Sequence, residues 1–402
     1  MRKLSAGSDG KRAALLISPE APYPAVGGGA LRAAAMAEYL GRRYDLDLVL
    51  FREADAPDPA SSVPPGLARR VLVVPLPYHS RGVAARAARN LLRVLCSRPP
   101  LNDRFEGFGA AVHSFVNGRR YEVAVLEHFW TAAYWAELAP CTDQVVLDLH
   151  NVESALYQTY AATARRRDRW MFRRFHEACL ARERKWLPLF DLLLAASDND
   201  AKRLNGVSPA SRVEVVPNTI PFVPLPDGPE DHAIVFSGNL RYRPNLEAAR
   251  FFREQVWPTL REKWPALVWR VVGKNPEAVR RFIDGDDRIQ LVGPVEDAVG
   301  VLARAQVAVA PILAGSGTRV KILEAWAAGR AVVSTSLGAE GLGAEHARHL
   351  LIADGNRDFA EAVSSLLESN SLREQLGRCG RNLFETSFTW GAAWSRLEEI
   401  GI

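Results

Sequence analysis

The chain has little that would anchor it in a bilayer, staple it with disulfides or load it with metal. A spanning helix needs about 20 largely apolar residues, and no run of that kind occurs among the 402 residues. Its four cysteines, Cys96, Cys141, Cys179 and Cys379, are widely spaced and form no C-x-x-C pair. That argues against a zinc site or a disulfide framework and fits a reducing compartment. The opening MRKLSAGSDGKRAALLIS lacks the apolar core of a secretion signal, so the expected location is cytoplasmic, with the inner face of a membrane as an open option. A G-x-G-x-x-G fingerprint is missing too, and GGG at 27–29 is too weak to imply a dinucleotide cofactor. The basic stretch ARRRDRWMFRRFHEACLARERKW comes with no nucleic-acid-binding signature. A structural helix with a wet face is expected there, and no nucleic-acid partner.

What the chain does have is a βα rhythm told twice. Its length suits two domains, each with its own core. Apolar strand candidates recur at 13–17, 45–51, 71–74, 123–126, 145–149, 192–196 and 213–216. After the Pro-rich passage from Pro217 to about Asp231 they begin again with AIVFS, LVWRVVG, IQLVG, VAVAP and AVVS. The expected fold is α/β, with two Rossmann-like domains facing a central cleft. The divisions are a tail over 1–12, a first domain over 13–218, a second over 219–385 and a last helix over 386–402 that crosses back. Charge is uneven between the halves. Residues 1–218 hold 30 Lys/Arg and 23 Asp/Glu, a net of +7, and the remainder holds 21 and 23, a net of −2. The first half is therefore expected to meet something acidic.

The most informative stretch is GSGTRVKILEAWAAG, residues 315–329, where a strand ends in a glycine loop that tips into a helix. Gly315 and Gly317 permit backbone angles that a Cβ would penalise, and Thr318 is a plausible N-cap. Free amides in the first turn favour a phosphate, with Arg319 and Lys321 adding charge. Val320, Leu323 and Ala327 share a packed stripe, and Lys321 and Glu324 fall on an adjacent polar one. An ordinary surface Lys–Glu pair, worth about 0.2–0.5 kcal/mol, fits the same spacing.

GTRVKILEAWAAGRAVVSTSLGAEGL resembles the donor-site segment of retaining, nucleotide-sugar-dependent glycosyltransferases of the GT-B fold, in the large family 4. The resemblance implies that Glu324 binds the ribose, while Gly315, Ser316, Gly317, Thr318, Arg319, Lys321 and Ile322 surround the diphosphate and sugar. Many members carry a second Glu eight residues earlier; here that position is Ser316. VVPNTI, containing Asn218, is similar to the family's interdomain hinge. FSGNLRYRPN resembles the opening of the nucleotide domain, with Gly238, Asn239 and Arg241 at the phosphates. Pro244 and Asn245 stand where many members have Lys-Gly, so the charge is expected from Arg241, Arg319 or Lys321. Val292 falls where the base is read through backbone groups. Gly28 and Gly29 match the N-terminal glycines that face the donor, and DLHNVES places His150 beside the reacting sugar.

The implied activity is that of a hexosyltransferase-type enzyme in polysaccharide or glycoconjugate biosynthesis. It would move sugar from a nucleoside diphosphate to a glycan, lipid-linked or small-molecule acceptor, with His150, Arg241 and Lys321 nearest the chemistry. No divalent metal or other cofactor is expected. The D-x-D triplets at Asp45/Asp47, Asp198/Asp200 and Asp284/Asp286 have no phosphate motif beside them, and His346 and His349 sit in a glycine-punctuated loop. An epimerase of the same architecture, converting the nucleotide sugar without an acceptor, remains an alternative, as does a noncatalytic nucleotide-sugar sensor. On the helix expected over 83–95, Arg86, Arg89 and Arg93 form a stripe suited to peripheral contact with an anionic membrane.

Overall fold

The runs read as strands are apolar on both faces, the composition demanded of a parallel sheet whose two sides are covered by helices. The computed structural model describes residues 12–80, 82–164, 166–314 and 319–402. Most of the expected N-terminal tail lies outside the described residues, as do Gly315, Ser316, Gly317 and Thr318. In the first half, β1 (Ala13–Ser18), β2 (Asp45–Arg52), β3 (Arg70–Pro75), β4 (Tyr121–Glu127), β5 (Thr142–Leu149), β6 (Leu192–Ala195) and β7 (Val213–Val215) make one parallel sheet, ordered β3-β2-β1-β4-β5-β6-β7. The second half repeats the plan with β8 (Asp231–Ser237), β9 (Val268–Val272), β10 (Ile289–Val292), β11 (Ala305–Ala310), β12 (Ala331–Ser334) and β13 (Leu351–Ile352), ordered β10-β9-β8-β11-β12-β13. Strand order reverses beside β1 and β8. Ligands of open α/β sheets bind beyond the carboxyl ends of strands at such points, which puts the ends of β1, β4 and β5 opposite those of β8 and β11.

Each sheet is buried on both sides. Trp269 of β9 packs against Phe252 and Trp257, with centroids 4.7 and 5.9 Å away, and truncating such a residue costs about 3–5 kcal/mol. The helix Trp390–Ile400 places Ala393, Leu397 and Ile400 in one cluster with Leu16, Leu48 and Val125 of the first sheet. Trp394 donates its indole N–H to Ala35 O at 2.9 Å, and Tyr39 donates its hydroxyl to Ile402 O at 2.5 Å. Where this segment crosses, it runs beside the linker: Ile220 N donates to Phe388 O at 3.0 Å and Trp390 N donates to Ile220 O at 3.1 Å. Two chain passages thus join the domains, bonded to each other.

The helix over 83–95 forms with the expected bounds, yet its arginine stripe is not its outer face. Arg93 pairs with Asp103 at 2.9 Å and Arg89 donates to Ser80 O at 2.7 Å, whereas Leu91, Leu92 and Leu95 are 57%, 61% and 70% exposed. The inward contact is made by Val94, which joins Tyr157, Phe175 and Cys179 in a small cluster. The sequence reading is corrected here: the outward surface is apolar, and of the three arginines only Arg86 stays exposed.

Candidate active site

On the second-domain side, β8 and β9 both end in glycines with positive φ, Gly238 at +145° and Gly273 at +141°. A Cβ on Gly273 would stand 1.9 Å from Gly238 O, so these turns stack backbone on backbone and tolerate no side chain. Asn245 anchors the corner by donating to Asn239 O at 2.9 Å, and its Oδ1 accepts from Lys321 Nζ at 2.5 Å. The ammonium also lies 4.5 Å from the centre of the Phe236 ring. Glu324 accepts from Ser237 Oγ at 3.4 Å. Burial, with Arg319 adding to it, lowers the Lys321 pKa to about 7. Burial raises that of Glu324 to about 7 against the pull of Lys321. Desolvation of the charged form drives both shifts.

The helix Val320–Ala327 has Arg319 at its N-cap position, one residue later than the expected Thr318. Arg319 is 8% exposed, and burial lowers its pKa. Two other expectations need correcting. Arg241 is 67% exposed, donates to Glu277 at 2.7 Å and does not line the cavity. Ile322 is wholly buried in the core, so its side chain has no face toward a ligand. Val292, expected to act through its backbone, packs its side chain at the edge of that core.

On the first-domain side, Gly27 adopts φ +95° and caps the helix Gly28–Arg43. A Cβ on Gly29 would lie 1.8 Å from Glu20 Oε2, so the missing side chain lets that carboxylate sit over the helix start. Gly28 abuts Val320 of the other domain, and Lys274 donates to Val26 O at 3.2 Å across the cleft. The carboxyl ends of β4 and β5 deliver Glu127, His128, Asp148 and His150. His128 holds φ +62°, a left-handed conformation uncommon for a residue with a side chain and frequent at functional sites. Burial, the nearby His150 and Arg32 push its pKa well below the usual histidine value. His150 Nε2 stands 3.5 Å from Glu127 Oε2, and burial raises the Glu127 pKa.

All this surrounds one cavity of about 580 Å³ between the domains, within the ~300–1,000 Å³ of small-molecule sites. Of the expected site residues, Gly28, Gly29, His150, Asn218, Gly238, Asn239, Arg319, Lys321 and Glu324 line it. His128, Trp130, Glu153, Tyr160, Tyr242 and Lys274 also line it and were not singled out from sequence, and Asn245, which stands where many relatives carry Lys-Gly, lines it as well. The rule that selected His150, a polar residue at the carboxyl end of an apolar strand, would have found His128 in VAVLEHFW.

Among the described residues one trio, Glu127, Asp148 and His150, brings ligand-type atoms within 4.8 Å of one another. Arg32 already holds Asp148 through contacts of 2.5, 2.8 and 3.0 Å and reaches Val216 O at 2.7 Å. A guanidinium bound there opposes a cation in the same place. In each D-x-D triplet the second aspartate is held by donors of the protein itself. Asp47 accepts from Arg69, Arg70 and Tyr121, Asp200 from Ser197 and Arg203, and Asp286 from Trp257 and Arg261. His346 and His349 accept backbone N–H groups from Ile352 and Glu345 at 2.9 and 3.0 Å.

Residues 231–369 match the family described as Glycosyl transferases group 1. The chain is 22% identical over 361 residues to an uncharacterized 44.6 kDa protein in the cps region of Klebsiella pneumoniae, covering 87% of this chain and 89% of that one. Among solved structures it resembles sucrose-phosphate synthase from Thermosynechococcus elongatus, with 17% identity, a TM-score of 0.74 and coverage of 97% and 98%. It also resembles Anabaena HepE in complex with UDP-glucose, with 14% identity, a TM-score of 0.64 and coverage of 97% and 99%. The fold is GT-B, two Rossmann-like domains about a cleft, and the second domain makes the chain an enzyme of the glycosyltransferase type.

Proposed function

We propose that this enzyme transfers a hexose from a nucleoside diphosphate sugar to a hydroxyl of a glycan, lipid-linked or small-molecule acceptor, with retention and without a divalent metal. The observation that carries the reading is the convergence of Arg319, Lys321 and Lys274 on one wall of the cavity, with His128 and His150 on the other. Departure of the sugar builds negative charge on the leaving diphosphate, and fixed cations aimed there lower the barrier. Lys321, held by Asn245, serves that role together with Arg319. Glu324 accepts from ribose hydroxyls, and the adjoining imidazoles of His128 and His150 border the sugar. The UDP-glucose bound by HepE supports a donor of this class. The relative's place in a cps region is the reason for choosing polysaccharide biosynthesis as the pathway.

A thermal-shift screen in chelator against UDP-, GDP-, ADP- and TDP-sugars tests the proposal, since ligands of the native state raise stability by mass action. One nucleotide class is expected to raise the melting temperature, and no response to any of them overturns the reading. Product analysis then separates transfer from epimerisation or mere binding.

The acceptor is proposed to be met at an anionic membrane. Leu91, Leu92 and Leu95 face outward, and across the packed Val94 the helix Arg166–Trp186 shows exposed Trp170 with exposed Arg169, Arg173 and Arg174. Apolar anchors ringed by arginines match an anionic interface.

A further inference from the structure

The two walls of the cavity differ in charge. The second domain contributes Lys274, Arg319 and Lys321, whereas among the described residues the first-domain wall carries no Lys or Arg. Its titratable groups are Glu20, His128, His150, Glu153 and two tyrosines. His128 is held neutral by its burial. Behind this wall the buried Arg32 is committed to Asp148, Val216 O and Asn218.

Within this wall Glu153 is 3% exposed, opens the helix Glu153–Thr163 and stands among Leu101, Leu156, Tyr157 and Tyr160. Its Oε1 accepts from Trp130 Nε1 at 2.9 Å, and among the described residues no hydrogen bond reaches Oε2. We propose that this aromatic lobe is the acceptor subsite and that it takes an uncharged sugar, hydrogen-bonded to Glu153, in preference to uronic acids or sugar phosphates.

The inference rests on the transferase reading and adds the chemistry of the second substrate. An anion moved into this lobe would lose its hydration beside the Glu153 carboxyl, while the guanidinium 5.3 Å from the Tyr160 ring, that of Arg243, is already paired with Glu247 at 2.7 Å; neutral hydroxyls escape that penalty once hydrogen-bonded. Tyrosine and leucine surfaces suit the C–H faces of a pyranose, and one polar group among them fixes its orientation. Burial, then the neighbouring Glu183, pushes the Glu153 carboxyl up to about 8. Near neutrality it is an acid able to donate as well as accept.

The test uses the full-length enzyme with the donor found in the thermal screen. Octyl glucoside, galactoside and N-acetylglucosaminide are compared with octyl glucuronide, galacturonide and glucose 6-phosphate, as acceptors and as competitors of donor hydrolysis. At least one neutral sugar is expected to exceed its charged counterpart by about tenfold or more in kcat/KM. Glu153→Gln should raise the acceptor KM without moving donor affinity or melting temperature. Glu153→Lys should shift the preference toward the glucuronide. Equal or better use of the charged acceptors, or use of neither class, overturns the inference. Donor binding is read separately, so loss of donor binding instead condemns the transferase reading.

Discussion

His128 lies against His150 with ring centroids 3.6 Å apart, and its ring also stacks on Trp130 at 4.1 Å. Trp130 is backed in turn by Phe105 at 5.5 Å. The column fixes His150 from one side while Glu127 stands at its Nε2. An imidazole held this way spends little entropy in reaching a working geometry.

Removing the support should therefore hurt turnover more than binding. His128→Ala is expected to lower kcat by roughly tenfold or more with donor affinity nearly unchanged. Steady-state kinetics beside calorimetry measure both, and an unaltered kcat would show that the column has no part in the reaction.

Lys321→Ala and Glu324→Ala should each weaken donor binding by about 1.5–3 kcal/mol, the worth of a hydrogen bond to a charged group. Asn245→Ala should weaken it too, because the ammonium loses the partner at 2.5 Å that aims it. Calorimetry with the nucleoside diphosphate decides, and three variants of native affinity would remove this wall from the donor site.

Lys321 and Glu324 also predict a pH dependence. For Lys321 the folded pKa of about 7 lies below the ordinary 10.5. Between those values the unfolded chain holds the extra proton, so this group's contribution to stability rises with pH. Glu324 lies above its ordinary 4.5, at about 7. Between those values the folded chain holds the extra proton, so its contribution falls as pH rises. The pair is thus least comfortable near neutrality. A diphosphate favours the ammonium, so donor binding at about pH 8 should take up a proton, and affinity should fall above that by up to about tenfold per unit. Titrations in buffers of different ionisation enthalpy reveal the proton, and zero uptake contradicts the assignment.

Replacing Leu91, Leu92 and Leu95 together by serine should leave the fold intact, since none packs in a core, and should reduce co-sedimentation with anionic vesicles. A fully inserted leucine contributes about 1.5–3 kcal/mol. Arg86→Glu should weaken the salt-sensitive part by about 1 kcal/mol. Undiminished pelleting of the triple variant would move the membrane contact elsewhere or remove it.

The strands were readable because parallel sheets demand unbroken apolar runs, and Lys321 and Glu324 because helical spacing fixes which residues share a face. Spacing alone does not say which face points outward. On the 83–95 helix the leucines and arginines lie on opposite sides, and the cluster around Val94 settled the matter. Ile322 was taken for a ligand contact because its motif is one. The helix behind it closes in so tightly that a Cβ on Gly380 would lie 2.3 Å from the Trp326 ring, leaving the cavity as the open side for Lys321 and Glu324. Arg241 illustrates a turn that carries a charge away from the site its neighbours Gly238 and Asn239 occupy.

The helix Trp390–Ile400 sets an order of events during synthesis. Domains commonly fold as they emerge, the earlier before the later. Here the face of the first sheet that contains Leu16, Leu48 and Val125 is roofed by Ala393, Leu397 and Ile400 beside the helix Gly28–Arg43, which covers another part of it through Met36 and Leu40. A ribosome has made the whole second domain before it supplies that roof. Until then the first domain waits with an oily surface uncovered, and a nascent chain stalled before residue 390 should be a better client for a chaperone than the finished protein.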